Sequence, residues 1–296
     1  MADRVPDSER PVVGVVVLTQ GRRPADLTRA LASLSWQQEV ETDVLVVGNG
    51  WQPTGLPTWT RGLTLRENVG IPAGRNAGVP QVAGDLLLFL DDDATLPDPH
   101  FLAAAARRFA ADDRLGVLQP RVDVLGGGVA PRRWTPRLRA ADRHRSSPAF
   151  SVWEGALVVR RSAFESAGGW PAPFFYAHEG IELAWRVWDA GFSVWYAGDL
   201  AAEHPLTSQT RHVDYLRLNA RNRVWLARRN LPWVCGIPYV LSWTALQVVR
   251  SARNPAALSS WSRGWLEGWR VPAGPRRPLR WATVRRMTRH GRPPVL

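Results

Sequence analysis

The chain contains no lysine, one cysteine and two methionines in 296 residues. A lone thiol, Cys235, has no internal partner, which excludes a disulfide-stapled fold and fits a reducing, cytoplasmic compartment. It reads as a small apolar packing residue. Residues 1–10 are polar and mixed in charge, lack the apolar core of a signal peptide, and are expected to be disordered. There is no internal repeat, and Gly 25 and Pro 24 are too few for a collagen-like or low-complexity chain. Hydrophobic residues at 45% and charged residues at 22% then imply a globular protein with a substantial core.

Without lysine, all 38 basic charges are arginines, a bias that a GC-rich genome would explain. The net charge of +12 is unevenly spread. Residues 1–204 hold 21 Arg against 24 acidic residues, whereas residues 205–296 hold 17 Arg against only Asp214 and Glu267. A near-neutral body followed by a strongly basic tail suits contact with an anionic surface or a polyanion.

The body alternates strand and helix signals. Val12–Leu18 is an apolar run of the kind buried on both faces of a sheet. Residues 24–35 follow with helical spacing, then strands at Asp43–Val47 and Leu63–Leu65. Next come a helix over Ala73–Val82 that Pro80 should end, and a strand at Leu86–Leu90. Asp98-Pro99 has the form of an N-cap and first turn, and Ser162-Ala-Phe-Glu165 has capping-box spacing. Residues 126–148 read as a long loop, and order returns at Phe150–Arg160. Gly168-Gly169-Trp170 breaks a short helix. A helix at Glu182–Ala190, closed by Gly191, and a strand at Ser193–Ala197 complete the body. This rhythm predicts an α/β fold with a mostly parallel, Rossmann-like central sheet, helices on both faces, and ligands beyond the carboxyl ends of the strands.

Asp91-Asp92-Asp93 places three carboxylates at such an end. Their mutual repulsion is relieved by a hard divalent ion, Mg²⁺ or Mn²⁺, although a solvated acidic turn reads the same way. Upstream, Gly70, Gly74 and Gly78 permit close backbone approach, and Arg75 and Asn76 offer donors to an anion near a helix start. Gly48-Asn49-Gly50 begins like a dinucleotide fingerprint, but Pro53 stands where the third glycine belongs, which counts against a nicotinamide enzyme.

In this order the pieces resemble the inverting family 2 glycosyltransferases of GT-A fold, in an actinobacterial-type form. The resemblance spans about residues 12–208. It rests on Val15-Val-Val-Leu-Thr19, Asn68-x-Gly70…Arg75-Asn76-x-Gly78, Phe89-Leu-Asp-Asp-Asp93, Gly168-Gly-Trp170, Phe175-Tyr-Ala-His-Glu179-x-x-Glu182-Leu-x-x-Arg186 and His204-x-x-x-Ser208. It implies a catalytic domain over residues 11–208 and a helical region over 209–296. It also implies a nucleotide and donor pocket from Thr19, Asn49, Asn68, Gly70, Arg75, Asn76, Asp91 and Asp92. A divalent metal would sit at Asp91, Asp93 and His204, and Trp153, Glu154, Trp170 and His178 would face the sugar or acceptor. The implied base is Glu179, with Glu182 second because Arg186, one turn on, offers it a partner. Two positions depart from the family: Gly48 where an Asp usually follows the second strand, and Glu179-Gly180 where a Glu-Asp pair is usual.

The implied reaction moves a sugar from a nucleotide-diphosphate donor to a hydroxyl of a glycan or polyprenyl-linked cell-envelope acceptor. The base takes the hydroxyl proton, and the positive end of the helix at 182–190 is expected to keep Glu179 ionised. The other readings are a sugar nucleotidyltransferase and a nucleic-acid-binding protein; the latter leaves the aspartates unexplained, so no nucleic-acid partner is expected. In the tail, Arg211–Arg229 reads as a helix, with Arg221-Asn222 matching a pair often found after this family's catalytic domain. Asn230–Val249 is charge-free but holds Pro232, Pro238, Gly236 and Gln247, which makes it a poor spanning helix. Trp261, Trp265 and Trp269 share one helical face beside arginines, as in a segment lying peripherally on an anionic membrane at the inner face of the cell.

Overall fold

A computed structural model describes residues 10–136, 142–206 and 214–295. Its centre is one sheet of eight strands: β1 (Val12–Thr19), β2 (Glu41–Asn49), β3 (Thr60–Leu65), β4 (Leu86–Asp91), β5 (Leu115–Val124), β6 (Ser147–Pro148), β7 (Ala156–Arg160) and β8 (Ser193–His204). Their spatial order is β3-β2-β1-β4-β7-β5-β8-β6. β3, β2, β1 and β4 run parallel, as do β5 and β8; β7 runs antiparallel between β4 and β5, and β6 antiparallel on β8.

The apolar runs are continuous because both faces are covered. Val13, Val15 and Val17 of β1 enter one core, where Leu88 and Leu90 of β4 meet α1 (Pro24–Ser35) and α3 (Phe101–Ala111). Val16, with Leu87 and Phe89, enters the other. That second core is closed by α4 (Arg161–Ala167), α5 (Glu179–Asp189) and the C-terminal helices α6 (Tyr215–Asn230), α7 (Trp233–Ser251) and α9 (Trp281–Arg289). The basic tail thus shares a core with the body through Val224, Trp225, Leu226, Tyr239 and Met287.

Several local expectations change. Asp98 does not cap α3: its Oδ1 accepts from the His100 N–H (2.8 Å) in a turn of its own, and the helix begins at Phe101. Ser162 does not cap α4, because β7 runs straight into the helix at Arg161. α2 (Ile71–Gly78) stops before Pro80, which lies in a 3₁₀ turn, Val79–Gln81. α5 starts at Glu179, three residues earlier than the spacing implied, because His178 turns left-handed at φ 72° and redirects the chain. β8 extends past Ala197 to His204. Part of the 126–148 loop is ordered, with Trp134 buried and Ser147–Pro148 paired to β8; residues 137–141 lie outside the described residues. So do Met1–Glu9, Ser208 and the start of the expected Arg211–Arg229 helix.

The tryptophans of α8 (Pro255–Arg270) do not form one exposed face. Trp261 is buried, and Trp265 packs against the core. The open apolar surface lies on α7 instead, where Trp233, Val234, Ile237, Leu241, Val248 and Val249 are exposed. Among the described residues no helix is long and apolar enough to cross a membrane.

Candidate functional site

The carboxyl ends of β1, β2 and β4 open on a cleft of about 360 Å³. Thr19, Asn49, Asn68, Gly70, Asp91 and Asp92 line it, with Arg22, Arg23, Phe175 and Tyr176. β1 and β4 pair in parallel, with Leu18 beside Asp91, so Thr19 at the end of β1 reaches the aspartates.

The three aspartates are held differently. Thr19 Oγ1 donates to Asp92 Oδ2 (2.5 Å), and Arg23, at the start of α1, pairs with both Asp92 and Asp93. Burial raises the Asp92 carboxyl above its ordinary value, against the opposing pull of Arg23 and Thr19. Burial works the same way on Asp91, but Arg75 (Nη2 to Oδ1, 2.7 Å), with His204 and Arg23, outweighs it and holds that carboxyl low.

Asp93 is 3% exposed. Its oxygens face Arg23 and His204 Nε2 (3.1 Å), yet neither oxygen has a partner at hydrogen-bonding geometry. His204 Nδ1 lies 2.6 Å from the Pro205 carbonyl, which can only accept, so the ring proton sits on Nδ1. Nε2 faces Asp93 Oδ1, where it can donate to the carboxylate as an imidazolium or, with a cation between them, ligate that cation beside it. Ligand atoms of Asp91, Asp93 and His204 lie within 4.8 Å of one another. Two carboxylates and an imidazole fit a divalent ion such as Mg²⁺ or Mn²⁺.

A second acidic pair lies one guanidinium away. Arg75, almost fully buried, donates through Nη2 to Asp91 and to the Glu154 carbonyl (3.0 Å). Glu179 opens α5 at 3% exposure with Oε2 unpartnered. Burial, followed by the charge of Glu154, pushes its carboxyl up to about 8. The helix end was expected to keep Glu179 ionised, but a helix end contributes only about 0.3–1 kcal/mol, less than desolvation removes. Glu154 is half-buried and is also raised by burial, with Arg75 and the Gly180 N–H opposing.

Glu182 is not paired with Arg186. It accepts from Arg229 Nη2 (2.7 Å) and Asn230 Nδ2 (2.9 Å), because α6 passes alongside α5, while Arg186 Nη1 donates to the Arg277 carbonyl. That buried ion pair ties the tail to the body.

The loop before Glu179 is strained and braced. Phe175, Ala177 and His178 all have positive φ (63°, 74°, 72°), at a cost of about 1–3 kcal/mol each. The buried Asn222 Nδ2 donates to the carbonyls of Phe174, Tyr176 and Ala177 at 2.8–2.9 Å, and Arg221 Nη2 donates to Phe174 O (2.9 Å). Burial, with the charge of Arg223, holds His178 well below the usual histidine range and hence neutral.

Other expected site residues serve as framework. Asn49 Nδ2 donates to Asn68 Oδ1 (2.9 Å) and to Gly70 O (3.2 Å), and its Oδ1 accepts from Val69 N–H, which shapes the wall of the cleft. Asn76 exchanges two hydrogen bonds with the Trp170 backbone. Trp170 is buried, with Arg75 5.1 Å from its ring centroid, and Trp153 stands edge-on to His204. At Gly48 a Cβ would fall 2.0 Å from the Trp51 carbonyl, so the aspartate usual there would not fit. The sequence reading missed Arg23, whose signal was its place four residues after Thr19 at a Pro-initiated helix. It also gave no role to Asn222.

Solved structures similar to this chain are glycosyltransferases that share its GT-A fold. The first is GalNAc-T7, solved with UDP, GalNAc and Mn²⁺: TM-score 0.63, 13% identity, 96% of this chain and 55% of that one. The second is S. aureus TarS, residues 1–349: TM-score 0.60, 15% identity, 86% and 80%. The third is the mannosyltransferase PcManGT of Pyrobaculum calidifontis, solved with GDP-Man and Mn²⁺: TM-score 0.56, 17% identity, 92% and 84%. The sequence profile of Glycosyl transferase family 2 matches residues 15–168, and the chain belongs to that family. Curated relatives include the O-antigen biosynthesis protein RfbC of Myxococcus xanthus, 26% identical over 78% of this chain. Another is the glycosyltransferase AglE of Haloferax volcanii, 28% identical over 55%. The aligned segments span 20% and 56% of those relatives' own lengths.

Proposed function

We propose that this chain is an inverting, actinobacterial-type glycosyltransferase. It moves a hexosyl or deoxyhexosyl group from a nucleotide-diphosphate sugar to a hydroxyl of a glycan or polyprenyl-linked cell-envelope acceptor. One observation carries the reading: the Asp91, Asp93 and His204 group stands at the cleft, with a second carboxylate pair, Glu154 and Glu179, joined to it by Arg75. When bound, a divalent ion would neutralise charge developing on the departing diphosphate. Thr19, Asn68, Gly70, Asp91 and Asp92 would seat the nucleotide, and Arg22 and Arg23 would add positive charge beside the phosphates. Arg75, Asn49 and Asn76 would keep these groups in place. The Glu154–Glu179 pair would take the acceptor proton as the hydroxyl oxygen attacks the anomeric carbon. Nucleoside-diphosphate release from UDP-, GDP- and dTDP-sugars, with and without Mn²⁺, tests the reading. Ion-dependent release from one donor is the expected result; no release from any donor, with pyrophosphate formed instead from a nucleoside triphosphate and a sugar 1-phosphate, would make it a nucleotidyltransferase.

The acceptor is proposed to be reached at a membrane, with α7 as the contact. Its exposed Val234, Ile237, Leu241 and Val248 repeat at helical spacing, and Arg250 and Arg253 follow. A truncation near residue 230 would remove Tyr239 and Val240 from the core, so point charges are the cleaner probe. The full chain should float with vesicles containing phosphatidylglycerol and lose flotation in Ile237→Asp/Leu241→Asp. Equal flotation of both proteins removes this surface from consideration.

A further inference from the structure

Position 180 has no side chain, and the space one would fill is occupied. A Cβ placed on Gly180 would lie 2.3 Å from Glu154 Oε1 and 2.6 Å from the Val152 carbonyl oxygen. Gly180 N–H donates to the same Glu154 oxygen at 2.7 Å. A carboxylate from the segment before β7 therefore stands against the first turn of α5, where a side chain at 180 would otherwise begin. This is a substitution in space, across 26 residues of sequence.

The two acids of this pair differ in access. Glu179 is buried, with Oε2 enclosed and unpartnered, so an acceptor hydroxyl could reach it only after rearrangement. Glu154 is half-buried, and its backbone is tied to Asp91 through Arg75. We propose that Glu154, and not Glu179, is the catalytic base, its carboxylate replacing the side chain that position 180 lacks. The inference rests on the glycosyl-transfer reading above. In the step, Glu154 accepts the acceptor hydroxyl proton while the oxygen forms its bond to the anomeric carbon. The bond from that carbon to the β-phosphate oxygen breaks, and its electron pair leaves with the nucleoside diphosphate. Glu179 lies beneath as a positioning residue. It retains its own proton at neutral pH, which spares Glu154 a like charge at its side.

The test uses the full chain and the donor identified by nucleoside-diphosphate release, so a wild type inactive with every donor fails the earlier reading before any variant is made. Glu154→Gln should lower kcat by about 10²–10⁴-fold with donor KM almost unchanged. Calorimetry with Mn²⁺ and the matching nucleoside diphosphate confirms that each variant is folded and binds. Formate, a small carboxylate able to enter the vacated space, should restore turnover to Glu154→Ala and leave Glu179→Ala unimproved. The proposal is overturned by a Glu154→Gln enzyme that keeps wild-type turnover. It is equally overturned by a folded, nucleotide-binding Glu154→Ala that formate does not restore, or by rescue of Glu179→Ala.

Discussion

Two groups of carboxylates lie on either side of Arg75, and they are compensated in opposite ways. At the end of β4, Asp91, Asp92 and Asp93 meet Arg75, Arg23, Thr19 and His204. At the head of α5, the Glu154 carboxylate accepts from the Gly180 N–H beside Glu179, and the Arg75 Nη2 that reaches Asp91 also donates to the Glu154 backbone carbonyl. In the first group Arg75 helps hold Asp91 low, even though burial raises Asp92 beside it. The second retains a proton instead, with Glu179 raised to about 8. A site that must hold a cation and also accept a proton needs this division, because negative charge shared evenly would serve neither task well.

The largest effect should come from breaking the cation side. Neighbours of a metal ligand alone influence affinity by about 10–100-fold, so loss of a ligand should exceed that range. Asp93→Ala is expected to remove Mn²⁺-dependent binding of the nucleoside diphosphate, read by titration calorimetry with and without the ion. If binding stays equally ion-dependent, the ion sits elsewhere and the contrast between the two groups fails.

The proton side is sharpened by pH. Glu179 faces Glu154, Arg75 and Asp91, and its carboxyl is raised from 4.5 to about 8. The folded state therefore keeps a proton that the unfolded chain has released. This stabilisation is complete below about pH 4.5 and is lost as pH rises through about 8. Glu179→Gln lacks that slope, so its Tm relative to wild type should climb between pH 5 and 9. The change is on the order of a few kcal/mol in unfolding free energy. A Tm difference that does not vary with pH would mean that Glu179 is ionised like an exposed acid.

The contrast was only half legible in the sequence. Asp91-Asp92-Asp93 follows an apolar run that had to be a buried strand, so its place at the ligand edge of the sheet could be read from pattern alone. Thr19 and His204 came from the family resemblance, through its motifs and their order, and not from pattern alone. The Glu154–Gly180 contact could not be read this way. Glycine at 180 announces an absent side chain, but which residue fills the gap depends on how the segment before β7 crosses α5. Arg229 was hidden from the Glu182 assignment for a related reason. Helical spacing reveals partners on the same helix, and this partner sits 47 residues away on α6. The α8 tryptophans misled because a periodic stripe marks a buried face as readily as an exposed one.

The smallest effect concerns what holds the proton side in shape. The loop that ends at His178 contains three left-handed non-glycine residues, conformations that persist only where surrounding contacts enforce them. Asn222 supplies much of that enforcement, since one buried amide nitrogen serves three carbonyls of the loop. Asn222→Ala leaves the Tyr176 and Ala177 carbonyls without that donor, while Phe174 keeps Arg221, at about 1–3 kcal/mol of stability in urea unfolding. Relaxation of the loop would move the start of α5 and with it the Gly180 N–H that aims Glu154. Turnover should then fall by more than nucleotide binding does, because Phe175 and Tyr176 of the loop line the cleft but the β4 carboxylates are fixed by β1 and β4. Equal loss of both would mean that the loop and the aspartates form one unit, and that the two sides of Arg75 are not separable.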